Sequence, residues 1–166
     1  MDAQVKTADV KTDDAALDNA TIEAQLKTML GPVGEAVTME VERGAVRRMA
    51  LALDNHDPIH FDAAAAKARG YRGIVAPWPF LWSYFFNCTE YHHDFPFGKA
   101  TVHGQDDYDF HEPLIVGDAI TVTTHITSTS LKQGKTGLLG LVVSERRFTN
   151  QNGQLCAVLK TTLFRR

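Results

Sequence analysis

The chain has 166 residues, a formal net charge of −3 and a sequence pI of about 6.1. This length suits one domain, which would bury roughly 70% of the surface that the unfolded chain exposes. Lys and Arg residues are scattered rather than clustered, which argues against a nucleic-acid-binding face and against a polybasic membrane patch. The composition therefore favours a small molecule or another protein as the partner.

The two cysteines, Cys88 and Cys156, lie far apart and outside any cluster with metal-ligand spacing. We therefore expect free thiols, and neither a metal nor another cofactor. The first residues are acidic where a signal peptide would be basic, and no apolar run is long enough to span a membrane. These features predict a cytoplasmic protein, with a disordered or loosely docked tail over residues 1–20 and a single domain over residues 21–166.

The predicted elements begin with a short amphipathic helix over residues 22–30. A half-buried strand follows, because Val37, Met39 and Val41 alternate with polar residues. Residues 44–53 then place their apolar side chains on one helical stripe. This second helix leads directly into a dense group of polar side chains.

Residues 78–91 are the most apolar and aromatic part of the chain, and their large side chains surround the whole predicted helix. A helix that is apolar all round is a buried one, so we predict a central helix that is nearly inaccessible to solvent. His92 and His93 follow this helix. Adjacent residues on a helix point about 100° apart, so this pair is not expected to chelate one metal ion.

From residue 100 onward the chain predicts long antiparallel strands, rich in Val, Ile, Thr and Phe and separated by turn-forming residues. The predicted strands cover residues 101–111, 119–131, 136–150 and 154–164. Apolar and polar residues alternate from Ile120 to Thr127, which predicts one buried sheet face. One buried helix and one large antiparallel meander predict an α+β fold in which the sheet wraps around the helix.

The polar segment 54–60 holds two carboxylates, an amide and two imidazoles. Pro58 disfavours helical dihedral angles at Asp57, so this segment is predicted to turn sharply. A turn of this composition concentrates acid–base groups and is typical of a catalytic site. The simpler alternative is an Asx-rich turn whose side chains cap their own backbone.

This segment and its continuation resemble a known family. Residues 50–62 are similar to the block Ala-x-x-x-Gly-Asp-x-Asn-Pro-x-His-x-Asp of the MaoC-like (R)-specific enoyl-CoA hydratases and 3-hydroxyacyl dehydratases. Residues 75–77 (Val-Ala-Pro) resemble its fatty-acid-synthase-like, or MaoC N-terminal, branch, and residues 113–118 resemble its Pro-Leu-x-x-Gly-Asp turn. The resemblance implies a hot-dog fold, with a long antiparallel sheet around a central apolar helix. It also implies a homodimer, or a heterodimer with another hot-dog chain.

The resemblance further implies hydration or dehydration of an enoyl or 3-hydroxyacyl thioester, carried by CoA or by acyl carrier protein. That reaction needs a base that activates water, an acid that protonates the α-carbon, and donors for the enolate-like oxygen. In the family, an Asp and a His five residues later bracket the water. Here His60 occupies the histidine position, but Asn55 occupies the aspartate position, and an amide cannot act as a general base.

Two interpretations of the catalytic candidates remain open. In the first, the chain is an enzyme in which His60 is the acid–base residue and Asp54 or Asp57 replaces the missing carboxylate. In the second, the chain is a non-catalytic acyl-binding subunit that pairs with a catalytic MaoC-like partner. A third interpretation, a hot-dog thioesterase, has only Glu90 as a carboxylate on the predicted central helix. The resemblance places three candidate substrate-binding residues at the start of that helix, namely Ala76, Trp78 and Phe80.

Overall fold

A computed structural model describes residues 18–85, 98, 100–135 and 137–166 of the chain. Several predicted features lie outside these residues, namely the tail up to residue 17, the helical stretch 86–91 with Cys88 and Glu90, and the pair His92 and His93. In the described part of the chain, no helix has the length and apolar character needed to cross a membrane.

The structure is built on one six-stranded antiparallel sheet. Its strands are β1 (Gly31–Pro32), β2 (Val37–Glu40), β3 (Thr101–Phe110), β4 (Ala119–Gly134), β5 (Gly137–Thr149) and β6 (Leu155–Arg165). The order is β1-β4-β5-β6-β3, and β2 also pairs with β4. The predicted meander therefore holds from β4 to β6, but β3 lies beside β6 and forms an edge of the sheet.

The helices are α1 (Asn19–Thr28), α2 (Arg43–Ala52), α3 (Ala63–Ala68) and α4 (Trp82–Phe85), with 3₁₀ turns at Pro58–His60 and Trp78–Leu81. Helix α1 begins earlier than predicted because Asp18 caps it. The Asp18 carboxylate accepts a hydrogen bond from the N–H of Thr21 at 2.8 Å. The α1 helix then packs against β4 at the end of the sheet opposite to β3.

The main core lies between the sheet and the start of the central helix. Phe80, Leu81 and Tyr84 share one buried cluster with Val122 and Phe148 of the sheet. Tyr84 makes edge contacts with Phe80 and Phe148, at ring-centroid distances of 5.8 and 6.0 Å. Burial of each such side chain contributes roughly 1.5–3 kcal/mol, so this cluster fixes the start of the helix on the sheet.

The start of the central helix differs from the prediction in one respect. Trp78 is 44% exposed, so the expectation of a nearly inaccessible helix is wrong at this residue. The reason is its position at the first residue of the 3₁₀ turn, beside the sheet edge rather than over the sheet centre. Its ring lies against Phe110 at the end of β3, with 4.3 Å between the ring centroids.

Candidate active site

The polar segment after α2 forms a sharp turn, as the sequence predicts. The N–H of Asn55 donates to the carbonyl of Ala50 at 2.9 Å, and Asp54 has a positive φ of 53°, which ends the helix. Asp57 then caps the next 3₁₀ turn, where its carboxylate accepts from the N–H of Ile59 at 3.2 Å. The self-capping Asx turn is therefore present, and it also positions His60.

His60 is 7% exposed, and both nitrogens of its ring make hydrogen bonds. Its Nδ1 lies 2.7 Å from the carbonyl oxygen of Val75, and because a carbonyl only accepts, Nδ1 donates. Its Nε2 lies 3.0 Å from the Nδ2 of Asn55. The Oδ1 of Asn55 accepts from the N–H of Asp57 at 3.1 Å, which turns the amide NH₂ towards His60. This bonding pattern matches the neutral Nδ1–H tautomer of His60.

The Asn55 amide occupies the single lone pair with which the Nε2 of His60 would accept a proton. If Nε2 carried a proton, its N–H would face an N–H of Asn55, and the hydrogen bond would be lost. A water molecule can therefore transfer a proton to Nε2 only after this bond has broken. The arrangement opposes the general-base role that the family assigns to this position.

Neither nearby aspartate brings its carboxylate to His60. The side chain of Asp54 is 94% exposed and lies 2.8 Å from the Nε2 of His56. The carboxylate of Asp57 accepts from Ile59 and from the guanidinium of Arg69, the latter at 2.6 Å. The Ile59 N–H, followed by Arg69, holds the pKa of Asp57 below its usual range. The structure therefore places Asn55 beside His60, and directs Asp54 and Asp57 elsewhere.

A cavity of about 580 Å³ opens beside His60. Its volume lies within the range of small-molecule sites, roughly 300–1,000 Å³. Apolar side chains and prolines form most of its wall, while Asn55, His60, Tyr71 and His111 contribute polar side chains. No cluster of three or more His, Cys, Asp or Glu side chains suited to a metal ion occurs within the described ranges. The cavity suits an apolar ligand with a polar end.

The predicted substrate-binding residues divide between this cavity and the core. Ala76 and Trp78 line the cavity, whereas Phe80 is 3% exposed and packs in the main core. Trp78 begins a 3₁₀ turn, where backbone N–H groups have no partner within the turn, so its N–H can donate to a ligand, and the substrate-binding role of Ala76 and Trp78 stays a prediction. Sequence reasoning missed His111, which follows β3 directly and lies 3.4 Å from Asp109. The sequence signal that could have identified His111 is its position at the end of the predicted strand 101–111.

The cavity wall that carries Val75 is fixed from two sides. Two backbone hydrogen bonds of 2.8 and 2.9 Å join segment 74–76 to segment 114–116. The N–H of Val75 also donates to the carbonyl of Ile59 at 3.0 Å. The acceptor of the His60 ring is therefore part of a rigid backbone, which limits rotation of the imidazole.

Asp118 reinforces this wall from inside the protein. It is 1% exposed and accepts from the N–H of Ile115, from the Gln151 amide and from the Arg72 guanidinium. Burial alone would raise the pKa of Asp118, but these three donors outweigh it and the pKa is lowered. Arg72 lies two residues before the wall segment 74–76, so its ion pair with Asp118 joins that segment to the turn that ends at Asp118.

Comparison with known proteins identifies the family. The model of the FAS1-like dehydratase domain region matches residues 28–158. A UPF0336 protein from Mycolicibacterium paratuberculosis is 28% identical over 128 residues, which cover 75% of this chain and 78% of the relative. A UPF0336 protein from Saccharopolyspora erythraea is 28% identical over 131 residues, which cover 76% of this chain and 81% of the relative.

Solved structures show the same fold. A C-terminally truncated HadBC complex from Mycobacterium tuberculosis, a 3R-hydroxyacyl-ACP dehydratase, matches with 27% identity and a TM-score of 0.66, over 82% of this chain and 96% of that chain. An (R)-hydratase from A. caviae matches with 19% identity and a TM-score of 0.63, over 81% of this chain and 94% of that chain. These matches confirm the predicted hot-dog fold. Since the family match spans most of its length, the chain belongs to the FAS1-like dehydratases, within the MaoC-like group of hydratases and dehydratases.

Proposed function

We propose that this chain is the acyl-binding half of a two-chain hydratase/dehydratase that acts on enoyl or 3-hydroxyacyl thioesters of CoA or acyl carrier protein. Membership of the dehydratase family supports the reaction class. The assignment of the proton transfers to a second chain rests on one observation, the 3.0 Å contact between the Nδ2 of Asn55 and the Nε2 of His60. The contact supports the proposal because an amide, which does not titrate, lies beside His60 at the position where the family resemblance implies a carboxylate.

Hydration adds the hydroxyl of water to C3 of the enoyl thioester and a proton to C2, and dehydration reverses both steps. An Asp/His pair supplies these proton transfers, and this chain has only the imidazole. We assign the complete pair to a second hot-dog chain. The HadBC neighbour, a dehydratase complex with 27% identity to this chain, supports such a pairing.

The cavity supports the acyl-binding role. Its apolar wall suits an acyl chain, which gains free energy by leaving water. The N–H of Trp78, at the start of the 3₁₀ turn, is the proposed donor to the thioester oxygen. Ala76 and the Trp78 ring form the adjoining wall, so the thioester end would lie near His60.

Turnover of crotonyl-CoA tests the proposal, with loss of the enoyl absorbance as the readout. The wild-type chain alone is expected to bind crotonyl-CoA in isothermal titration without hydrating it. Asn55→Asp is expected to raise hydration by roughly 10²-fold or more, because the introduced carboxylate can share a proton with His60 and orient water. Adding His60→Ala to that variant should remove the gain.

Asn152→Asp is the matched control, because it adds the same charge at an exposed turn outside the cavity wall. It should leave both binding and turnover at the wild-type level. Hydration by the wild-type chain alone that His60→Ala abolishes would contradict the proposal. It would instead favour a self-sufficient hydratase, the second candidate, which is supported by the burial of His60 at the cavity wall.

A further inference from the structure

The hydrogen bonds of Asn55 and His60 use all but one of their side-chain donors. In the neutral Nδ1–H tautomer, His60 has a single ring N–H, which donates to the carbonyl of Val75 at 2.7 Å. The Asn55 amide has two N–H groups, and one of them donates to the Nε2 of His60 at 3.0 Å. The oxygen of the same amide accepts from the N–H of Asp57 at 3.1 Å. The second N–H of Asn55 is therefore left over.

This second N–H has no acceptor in the part of the chain that the structure describes. The two N–H groups of an amide point in different directions, so both cannot donate to the single lone pair of Nε2. The Asn55 side chain is half-buried and forms part of the cavity wall. A ligand oxygen that replaces water at this N–H keeps its hydrogen bond, whereas a ligand carbon leaves the donor without an acceptor.

The part of the ligand that meets this N–H follows from the proposed function, on which the inference rests. In the proposed orientation, the N–H of Trp78 donates to the thioester oxygen on C1, and the thioester end lies near His60. C3 is only two bonds from C1. The family resemblance also places the water that adds to C3 beside the position of Asn55. An oxygen on C3 would therefore lie next to the amide.

An amide and a carboxylate at this position favour different oxygens on C3. An ionised carboxylate has only acceptors, so it binds a water or a 3-hydroxyl group, which can donate. It repels a 3-oxo group, which only accepts. The N–H of Asn55 donates, and it can bind the oxygen of either a 3-oxo or a 3-hydroxyl group.

We propose that Asn55 determines the specificity of the cavity, because its second amide N–H binds an acceptor oxygen on C3 of the acyl group. The cavity then takes up 3-oxoacyl and 3-hydroxyacyl thioesters in preference to saturated and enoyl thioesters. The 3-oxoacyl thioester is the more informative ligand, since a carboxylate at position 55 would disfavour it.

Isothermal titration at pH 7 tests the proposal with acetoacetyl-CoA and butyryl-CoA. The two acyl groups have the same carbon chain and differ only in the oxygen on C3. Neither has the double bond or the 3-hydroxyl group on which a hydratase/dehydratase acts. The wild-type chain is expected to bind acetoacetyl-CoA about three- to tenfold more tightly than butyryl-CoA, the gain from one added hydrogen bond. 3-Hydroxybutyryl-CoA should show a gain of the same order.

Asn55→Asp removes the N–H donor and keeps the oxygen that accepts from Asp57. Its affinity for acetoacetyl-CoA should fall to that for butyryl-CoA or below. A general distortion of the cavity would weaken both thioesters alike, so the ratio of the two affinities reports the donor itself. If circular dichroism shows that this variant does not fold, Asn55→Ala replaces it and should lose the same preference. Asn152→Asp, at an exposed turn outside the cavity wall, is the matched control and should keep the wild-type ratio.

Equal affinities of the wild-type chain for acetoacetyl-CoA and butyryl-CoA would overturn the inference. A preference for 3-hydroxybutyryl-CoA without one for acetoacetyl-CoA would also overturn it, because the protein would then accept from C3 rather than donate to it. Loss of the preference in Tyr71→Phe but not in Asn55→Asp would assign the donor to another residue of the wall and have the same consequence.

These outcomes are separate from those of the proposed function. Hydration of crotonyl-CoA by the wild-type chain alone would contradict that function without changing the ratio, because neither acetoacetyl-CoA nor butyryl-CoA is turned over. Binding of neither thioester would overturn both the acyl-binding role and the role of Asn55.

Discussion

Replacement of Asp118 by Asn tests whether a buried carboxylate holds the cavity wall in place. The carboxylate accepts from Ile115 and Gln151 at 3.0 Å each, and from Arg72. An Asn side chain keeps one acceptor oxygen and presents an NH₂ group where the carboxylate had its second oxygen. At least one of the three donors therefore loses its acceptor, and Arg72 loses its counter-ion.

The size of the effect follows from these contacts. A hydrogen bond to a charged group contributes roughly 1.5–3 kcal/mol. The side chain of Arg72 is 49% exposed, so its guanidinium can turn into water and no buried cation remains. We therefore expect Asp118→Asn to lower the free energy of unfolding by about 2–3 kcal/mol. For a domain of this size, this loss corresponds to a Tm lower by roughly 4–12 °C.

The stability lost in the same variant should depend on pH. The pKa of Asp118 is lowered in the folded chain, so the unfolded chain takes up the proton at a higher pH than the folded one. Its stabilisation is complete above the unfolded pKa of about 3.9 and is lost as the pH falls through the folded pKa. The difference in stability between wild type and Asp118→Asn should therefore shrink in acid.

Urea unfolding at pH 7 and thermal unfolding between pH 7 and about pH 3 measure both effects. Glu35→Gln, at an exposed position, is the control and should change the free energy of unfolding by less than about 0.5 kcal/mol. A loss below about 0.5 kcal/mol for Asp118→Asn, or a difference that stays constant into acid, would refute the reasoning.

Two further predictions concern the core. Phe148→Ala removes a ring that is 1% exposed and should lower the free energy of unfolding by about 3–5 kcal/mol in urea, whereas a loss below about 1 kcal/mol would contradict its place in the core. Burial raises the pKa of the Cys156 thiol, so in a Cys88→Ser variant Ellman's reagent should label it only after unfolding. Equal labelling rates with and without urea would contradict that burial.

Local patterns in the sequence predicted the strands well, because alternation is a property of neighbouring residues. Ile120, Val122 and Ile126 are buried, as their spacing indicated. The place of β3 beside β6 was not predictable in the same way. Strand order depends on packing between distant parts of the chain, and the alternation within one strand carries no information about its neighbour.

The polar turn after α2 was predicted from the sequence, but the contacts of its side chains were not. The family pattern has an Asp and a His on either side of one water, and here the Nδ2 of Asn55 lies directly against the Nε2 of His60, at 3.0 Å. The partner of the Asp57 carboxylate could not be predicted, because Arg69 is twelve residues further along the chain, directly after α3. The second partner of His60 is the backbone carbonyl of Val75. Every residue has a backbone carbonyl, so the sequence could not identify this one as the partner.

The Asn55 amide has a structural effect as well as a chemical one. A buried imidazole nitrogen without a partner would cost roughly 1–3 kcal/mol. Asn55 satisfies the Nε2 of His60 through its NH₂ group and the N–H of Asp57 through its oxygen, so the turn keeps its shape without a carboxylate. The wall around the cavity is thus preserved while proton transfer at Nε2 is opposed. This combination is the one expected of a chain that binds the thioester and leaves the proton transfers to a partner.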